Sequence, residues 1–168
     1  MKTIRLSVTA LGLFIGSLSA SAQSTAPALT AYLGVKDALV ATDGDKAKAW
    51  ATTLATALKN VKAASLSTAD QKALAMAKTH ATAISKTTDM NTQREAFEMI
   101  SSSMVTLAKA TKPAKREARS GVPAPTYVQY CPMAANGKGA FWLSDKKEVR
   151  NPYYGDKMLK CGSVKEEI

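Results

Sequence analysis

The chain has 168 residues, of which 46% are hydrophobic and 21% charged, and its formal net charge is +10 at pH 7. This length is sufficient for one domain with a hydrophobic core. The lysines are spread along the chain apart from one cluster, KPAKREAR, at residues 112–119. A basic surface of this kind favours solubility or contact with acidic partners, and the absence of a recognised nucleic-acid-binding motif argues against DNA or RNA as the partner.

The first 22 residues have the pattern of a secretory signal peptide. A basic start with Lys2 and Arg5 is followed by an apolar stretch, and the small residues that end at Ala22 mark the predicted cleavage site. The apolar stretch is shorter than the ~20 residues of a membrane span, which argues against a retained membrane anchor. We therefore expect export to a Gram-negative periplasm. Cleavage removes two basic residues and no acidic one, so the formal charge falls from +10 to +8.

The next region, residues 28–110, has apolar side chains at helical spacing and is predicted to form four helices. The first helix ends near TDGD, where Asp43 and Asp45 are turn and cap residues, and the second covers about 45–64. The third covers about 68–86 with Ser67 as its N-cap, and the fourth starts at a cap, Asn91 or Thr92, and runs to about 110. Short connections favour antiparallel neighbours, hence an up-down bundle.

The inward-facing stripes of these helices define the predicted core. They comprise Leu29, Tyr32, Leu33, Lys36, Leu39 and Val40 in the first helix, Ala47, Trp50, Ala51, Leu54, Ala57, Leu58 and Val61 in the second, and Phe97, Ile100, Met104 and Leu107 in the fourth. Each of the many alanines buries little area. We therefore expect Trp50, Phe97 and the leucines to supply most of the apolar contact.

The sequence changes character after Pro113. Residues 113–125 read as a linker, and residues 126–168 are rich in aromatic residues and glycine, with AFWLS as a short strand and NGKG as a turn. This tail is too short for a core of its own and should pack on the bundle. The predicted fold class is all-α, an antiparallel bundle of about four helices with an irregular, aromatic-rich C-terminal extension of short strands or turns. The predicted boundaries are 1–22 for the signal peptide, 23–112 for the bundle, 113–125 for the linker and 126–168 for the extension.

Two sulfur pairs in this extension are the candidate functional residues. Cys131 and Met133 are two residues apart, a spacing that places both on one side of an extended segment. Met158 and Cys161 are three apart, which places both on one face of a helical turn. If the tail folds back on itself, two thiolates and two thioethers converge. Soft sulfur ligands select Cu(I), and by the same logic Ag(I).

A disulfide is the alternative that the same residues support. The chain has two cysteines, and two cysteines in an exported protein usually pair. Closing a loop of about 30 residues is worth roughly 3.5–4 kcal/mol in the loop-entropy description. Met133 and Met158 would then be packing residues. The two alternatives are compatible, because a labile Cys131–Cys161 disulfide can open to bind copper.

The remaining candidates carry weaker signals. His80, the single histidine, is a minor candidate metal ligand, and the methionines outside the two sulfur pairs read as core or surface residues. The sequence contains no GxSxG, no HExxH and no glycine-rich phosphate loop, and nothing in its spacing supports a Cys131–His80 nucleophile pair. We therefore expect a protein that is not an enzyme.

The tail resembles a known bacterial family. The pattern is a CPMA motif at residues 131–134, a glycine turn, WLS at 142–144, NPYYG at 151–155 and an M-x-x-CG ending at 158–162. It resembles a small exported domain of unknown function that occurs alone or fused to periplasmic adaptor subunits of heavy-metal (copper/silver) RND efflux pumps. The helical part, with YLGVKDALVATDGDKAKAWA, is similar as well. Ala134 stands where related heavy-metal-binding modules have histidine, so a histidine-containing site is not implied.

The resemblance implies a helical domain in a periplasmic, metal-handling setting. On this basis we expect a Cu(I)- or Ag(I)-binding protein, as a chaperone, a sink or an accessory to an efflux adaptor, with Cys131, Met133, Met158 and Cys161 as ligands. The alternative is a structural or interaction module with a Cys131–Cys161 disulfide. Such a module would meet its partner through exposed Tyr153, Tyr154 and Trp142, although packing in the core explains these aromatics at least as well.

Overall fold

Four helices form the larger part of the molecule. The computed structural model describes residues 25–111, 116–117 and 123–168, so the predicted signal peptide and most residues of the basic cluster and of the predicted linker lie outside the described residues. The helices are α1 (Ala26–Val40), α2 (Gly44–Lys59), α3 (Thr68–Ile84) and α4 (Met90–Thr111), with a 3-10 turn at Ala63–Ser65 between α2 and α3. None of the helices in these ranges combines the length and apolarity needed to cross a bilayer.

Side-chain caps fix where three of these helices begin. Asp43 accepts a hydrogen bond from the Lys46 backbone N–H at 2.9 Å, and Ser67 accepts one from the Asp70 N–H at 3.2 Å, as predicted. The prediction for α4, Asn91 or Thr92, was wrong by two or three residues. Its first turn is capped by Asp89, whose carboxylate accepts from the Thr92 N–H at 2.8 Å. A carboxylate there also complements the positive end of the helix.

The first helix is central to the bundle. Ten of its fifteen residues are buried, including the predicted stripe from Leu29 to Val40. A helix that is apolar around most of its circumference is covered on all sides, and here α2, α4 and the C-terminal region provide the cover. Lys36 is also buried, at 2% exposure, and its ammonium pairs with Asp37 at 2.8 Å and Asp145 at 3.4 Å.

The predicted role of Trp50 in the core is wrong. The side chain is 40% exposed, and Ala47, Ala51, Leu54 and Leu58 form the buried stripe of α2. The indole lies over Gly34 of α1, where an added Cβ would fall within 2.3 Å of the ring. A ring that covers a glycine packs on the outside of the α1–α2 contact, so half of its surface remains in solvent.

The C-terminal region is more regular than predicted. Strands β3 (Tyr127–Cys131), β4 (Ala140–Ser144) and β5 (Ser163–Glu167) form an antiparallel sheet in the order β4-β3-β5, and a 3-10 turn spans Gly155–Met158. Two short strands, β1 (Arg116–Glu117) and β2 (Pro123–Ala124), pair with each other. The fold is therefore a four-helix assembly with a small sheet, and the all-α class is too narrow.

The sheet packs on the bundle through β4 and α4. The Tyr32 hydroxyl joins three elements, since it accepts a hydrogen bond from the Leu143 N–H at 3.1 Å and lies 2.8 Å from the Ser101 hydroxyl. Arg94 adds a second link by donating to the Pro152 carbonyl at 3.2 Å. Buried residues of the sheet and of the helices form one continuous cluster, which explains how so short a tail is held.

Candidate functional site

The two cysteines meet at the end of the sheet. Their sulfur atoms lie 3.1 Å apart, and both side chains are thiols. Cys131 is the last residue of β3 and is fully buried, whereas Cys161 precedes β5 and is partly exposed. The fold therefore brings together two residues that are 30 positions apart in the chain.

Strand register explains this meeting. In the antiparallel β3–β5 pair, Tyr130 is opposite Ser163, so the chain just before β5 lies beside the end of β3. Gly162 makes the close approach possible. Its φ is +139°, and a Cβ on it would lie 2.8 Å from the Tyr130 carbonyl oxygen and 2.9 Å from the Trp142 ring. Any other residue would push Cys161 away from Cys131.

Asn151 holds the Cys161 segment in place. The side chain is fully buried, and its amide donates to the Cys161 carbonyl at 2.9 Å, while its Oδ1 accepts from the Tyr153 N–H at 2.8 Å. The backbone N–H of Asn151 donates to the Leu159 carbonyl at 2.8 Å. These bonds close the segment from 151 to 161 into a compact loop with Cys161 at its end.

The two methionines of the predicted site lie beside the cysteines at the level of the backbone. The Cys161 N–H donates to the Met158 carbonyl at 3.0 Å, and the Met133 carbonyl accepts a hydrogen bond from the Tyr154 hydroxyl. Their side chains are exposed, at 52% for Met133 and 36% for Met158. The structure thus brings the two thiols into contact, and the two methionine side chains of the flanking segments are exposed.

The environment of Cys161 favours its protonated form. The hydrogen bond with Cys131 raises the pKa of the Cys161 thiol above its ordinary value of 9.0, and burial and the charge of Cys131 act in the same direction. A backbone hydrogen bond from Met133 opposes this shift. Hydrogen bonding between two thiols raises the pKa of one of them because ionisation of both would place like charges side by side.

The other candidate ligands lie elsewhere. His80 is a half-buried residue of α3, a helix that packs on α2 and α4 rather than on the sheet. Met76 and Met99 are exposed on α3 and α4, and Met104 is buried in the core. Within the part of the chain that the structure describes, no three His, Cys, Asp or Glu side chains are grouped as a metal site.

The aromatic interface predicted for the interaction module is largely wrong. Trp142 is fully buried and Tyr153 is 8% exposed, while Tyr154 is half-buried. Trp142 and Tyr153 pack edge to face with centroids 5.9 Å apart, and the Tyr153 hydroxyl donates to the Phe141 carbonyl. Trp142 and Tyr153 are buried because the tail packs on the bundle through its large side chains. The exposed aromatic of this region is Phe141, at 46%, which packs on Tyr130.

Two residues of the site were not predicted from the sequence. Asn151 and Gly162 appeared there only within the NPYYG and M-x-x-CG parts of the family pattern. Their adjacency to tight turns is the signal that could have pointed to a structural role. The pair that they position can do three things chemically, namely remain a dithiol, form a disulfide or bind a thiophilic cation.

A comparison with protein families assigns the helical part of the chain to a known family. The family described as "Protein of unknown function (DUF3347)" matches residues 28–116, which span all four helices. The match does not extend to the cysteine-bearing sheet, although the sequence resemblance was based mainly on that region. Searches of curated proteins and of solved structures found no significant match. Because the matched segment covers more than half of the residues of the chain, the chain belongs to the DUF3347 family.

Proposed function

We propose that the protein binds a soft monovalent cation, Cu(I) or Ag(I), with the Cys131 and Cys161 thiolates as its anionic ligands. The observation that carries this proposal is the 3.1 Å separation of the two sulfur atoms. Two thiolates presented together form a ligand set that soft metals prefer over hard cations. The ion is the cargo of the protein in this proposal.

Met133 and Met158 complete the proposed site as neutral ligands. Backbone contacts already connect both residues to the Cys161 segment or to its neighbours. Their side chains are exposed and unbranched, so a change of rotamer toward the thiols has a low cost. The thioethers would then be recruited when the metal arrives and would not form part of a rigid cage.

The proposed setting is the periplasm, where the protein acts as a metal chaperone, a sink or an efflux accessory. Support for export is the signal-peptide pattern of residues 1–22. Support for a link to heavy-metal efflux adaptors is the resemblance of the tail motif to domains fused to them.

Titration of the reduced protein with Cu(I) against a competing chelator tests the proposal. We expect one Cu(I) per chain and loss of at least about tenfold in affinity for the Cys131→Ser, Cys161→Ser double variant, since both anionic ligands are removed. Met133→Leu and Met158→Leu should each weaken binding by a smaller factor. Met76→Leu is the matched control, because Met76 is 41% exposed on α3. Unchanged affinity in the double-cysteine variant would reject the proposal.

The second candidate is a structural or interaction module with a Cys131–Cys161 disulfide. The same sulfur contact favours it, because a shift of about 1 Å would bring the atoms to the ~2.05 Å of a disulfide bond. A bond there would tie β3 to the segment before β5. Counting free thiols in protein purified without reductant, followed by native mass spectrometry, separates the candidates. A disulfide that forms quantitatively and protein that carries no metal favour the module.

A further inference from the structure

The two thiols differ in accessibility. Cys131 is 0% exposed and belongs to the hydrophobic cluster, whereas Cys161 is partly exposed and follows the exposed Met158. We propose that Cys161 is an S-thiolation site for a disulfide-bearing reagent, and that Cys131 is the thiol that resolves the resulting mixed disulfide. This inference uses the side chains of the proposed metal site but requires no metal.

The chemistry proceeds in two exchange steps. After the Cys161 thiol loses its proton to solvent, its sulfur attacks one sulfur of the external disulfide, an S–S bond to Cys161 forms, and the other sulfur leaves as a thiolate. The Cys131 thiolate then attacks the Cys161 sulfur, and the reagent's second thiolate leaves. The protein loses two protons and two electrons overall, and the external disulfide is reduced to two thiols.

The geometry imposes this order of events. Cys131 approaches the Cys161 sulfur from the core side at 3.1 Å, which leaves the solvent side of Cys161 for the reagent. For Cys131 to react first, the reagent would need to enter the cluster beneath the sheet, where Trp142 and Leu143 are fully buried. Opening that cluster costs the packing that attaches the tail to the bundle.

The backbone is held in place at both Cys131 and Cys161, which favours rapid attack of Cys131 on a mixed disulfide at Cys161. The Cys161 carbonyl is fixed by the Asn151 amide at 2.9 Å, and Gly162 allows the backbone to lie against the Tyr130 carbonyl. Cys131 is fixed within the β3–β4 ladder opposite Ala140. A mixed disulfide at Cys161 therefore remains within reach of its resolving thiol, because neither backbone has to move.

The experiment treats reduced, chelator-washed protein with glutathione disulfide and follows intact mass over time. Cys131→Ser should accumulate one glutathione adduct per chain. Cys161→Ser should react at least about tenfold more slowly, since its remaining thiol is buried. The wild type should pass through little adduct and end two hydrogens lighter than the reduced chain. Circular dichroism of each variant checks that it is folded.

A measurement on the unsubstituted chain keeps the inference falsifiable if a variant does not fold. Brief alkylation of the reduced wild type, followed by peptide mapping, should label Cys161 before Cys131. Equal labelling, or faster labelling of Cys131, overturns the proposal, as does an equal rate of adduct formation in the two serine variants. Ordered exchange without Cu(I) affinity would reject metal binding alone, and Cu(I) affinity without ordered exchange would reject this inference alone.

Discussion

The side-chain amide of Asn151 donates a hydrogen bond to the Cys161 carbonyl at 2.9 Å, from a position that is fully buried. This bond connects the start of the 151–161 loop to its end. It also determines where the Cys161 sulfur lies relative to Cys131. The geometry of the candidate site therefore depends on a residue that itself has no metal-binding or redox chemistry.

Replacing Asn151 with alanine should lower the free energy of unfolding by about 2–3 kcal/mol, because the Cys161 carbonyl and the Tyr153 N–H lose buried partners. Thermal or urea unfolding measures this loss. The variant should also form the Cys131–Cys161 disulfide more slowly. Asn91→Ala is the control, since Asn91 is exposed on α4, and it should change stability by less than about 0.5 kcal/mol. Equal effects of the two substitutions would contradict the role assigned to Asn151.

Gly162→Ala should separate the two cysteines. The added Cβ meets the Tyr130 carbonyl oxygen at 2.8 Å, and the φ of +139° is itself unfavourable for alanine. We expect a loss of about 2 kcal/mol or more in stability, together with slower disulfide formation. Gly137→Ala is an informative control, because its φ is +81° but its Cβ would meet no atom within 4 Å. It should lose stability through backbone strain alone and retain the rate of disulfide formation.

The contact between Gly34 and Trp50 predicts that Gly34→Ala is destabilising when Trp50 is present and stabilising when Trp50 is replaced by alanine. In the wild type, Gly34→Ala places a Cβ within 2.3 Å of the indole, so it should destabilise the fold and displace the ring toward solvent. In a Trp50→Ala background the clash is absent, and the same substitution should stabilise α1 by about 0.5–1 kcal/mol through its better helix propensity. Chemical denaturation of the four proteins measures their stability. The change in tryptophan emission that Gly34→Ala causes when Trp50 is present, compared with its effect when Trp50 is absent, measures the displacement of the ring, because Trp142 is common to all four proteins. Additive effects across the four proteins would show that the ring does not pack on Gly34.

Two buried tyrosines predict a loss of stability at alkaline pH. Burial raises the pKa of both Tyr32 and Tyr153 above the ordinary value of 10.0. Below pH 10 these hydroxyls are protonated in the folded and unfolded states alike, so their contribution to stability is fully present. As the pH rises above 10 the unfolded chain ionises first, and the free energy of unfolding falls by up to about 1.4 kcal/mol per pH unit for each tyrosine.

The check on this prediction is the slope of stability against pH between about 9.5 and 11. Tyr32→Phe and Tyr153→Phe should each reduce the slope relative to the wild type, whatever their effect on absolute stability. An unchanged slope in both test variants would mean that the two hydroxyls ionise as readily in the folded state.

The sequence by itself determined the helices, because helix formation depends on local periodicity and local caps. The stripe of α4, from Phe97 to Leu107, and the Ser67 cap are found as predicted. The spacing of the cysteines with their methionines also led us to the tail as the candidate site. Whether the site binds a metal was not decided by this local information, and it stays a prediction.

Only the tertiary structure decided that Cys131 and Cys161 meet, because their contact depends on strand register and on the closure of a 30-residue segment. It also decided which aromatic residues are buried. Trp50 has helical spacing suited to a core but lies on the outside of Gly34, whereas Trp142 packs against the bundle from a tail with no helical pattern. Burial depends on what covers a side chain, and the covering element is distant in the sequence in each case.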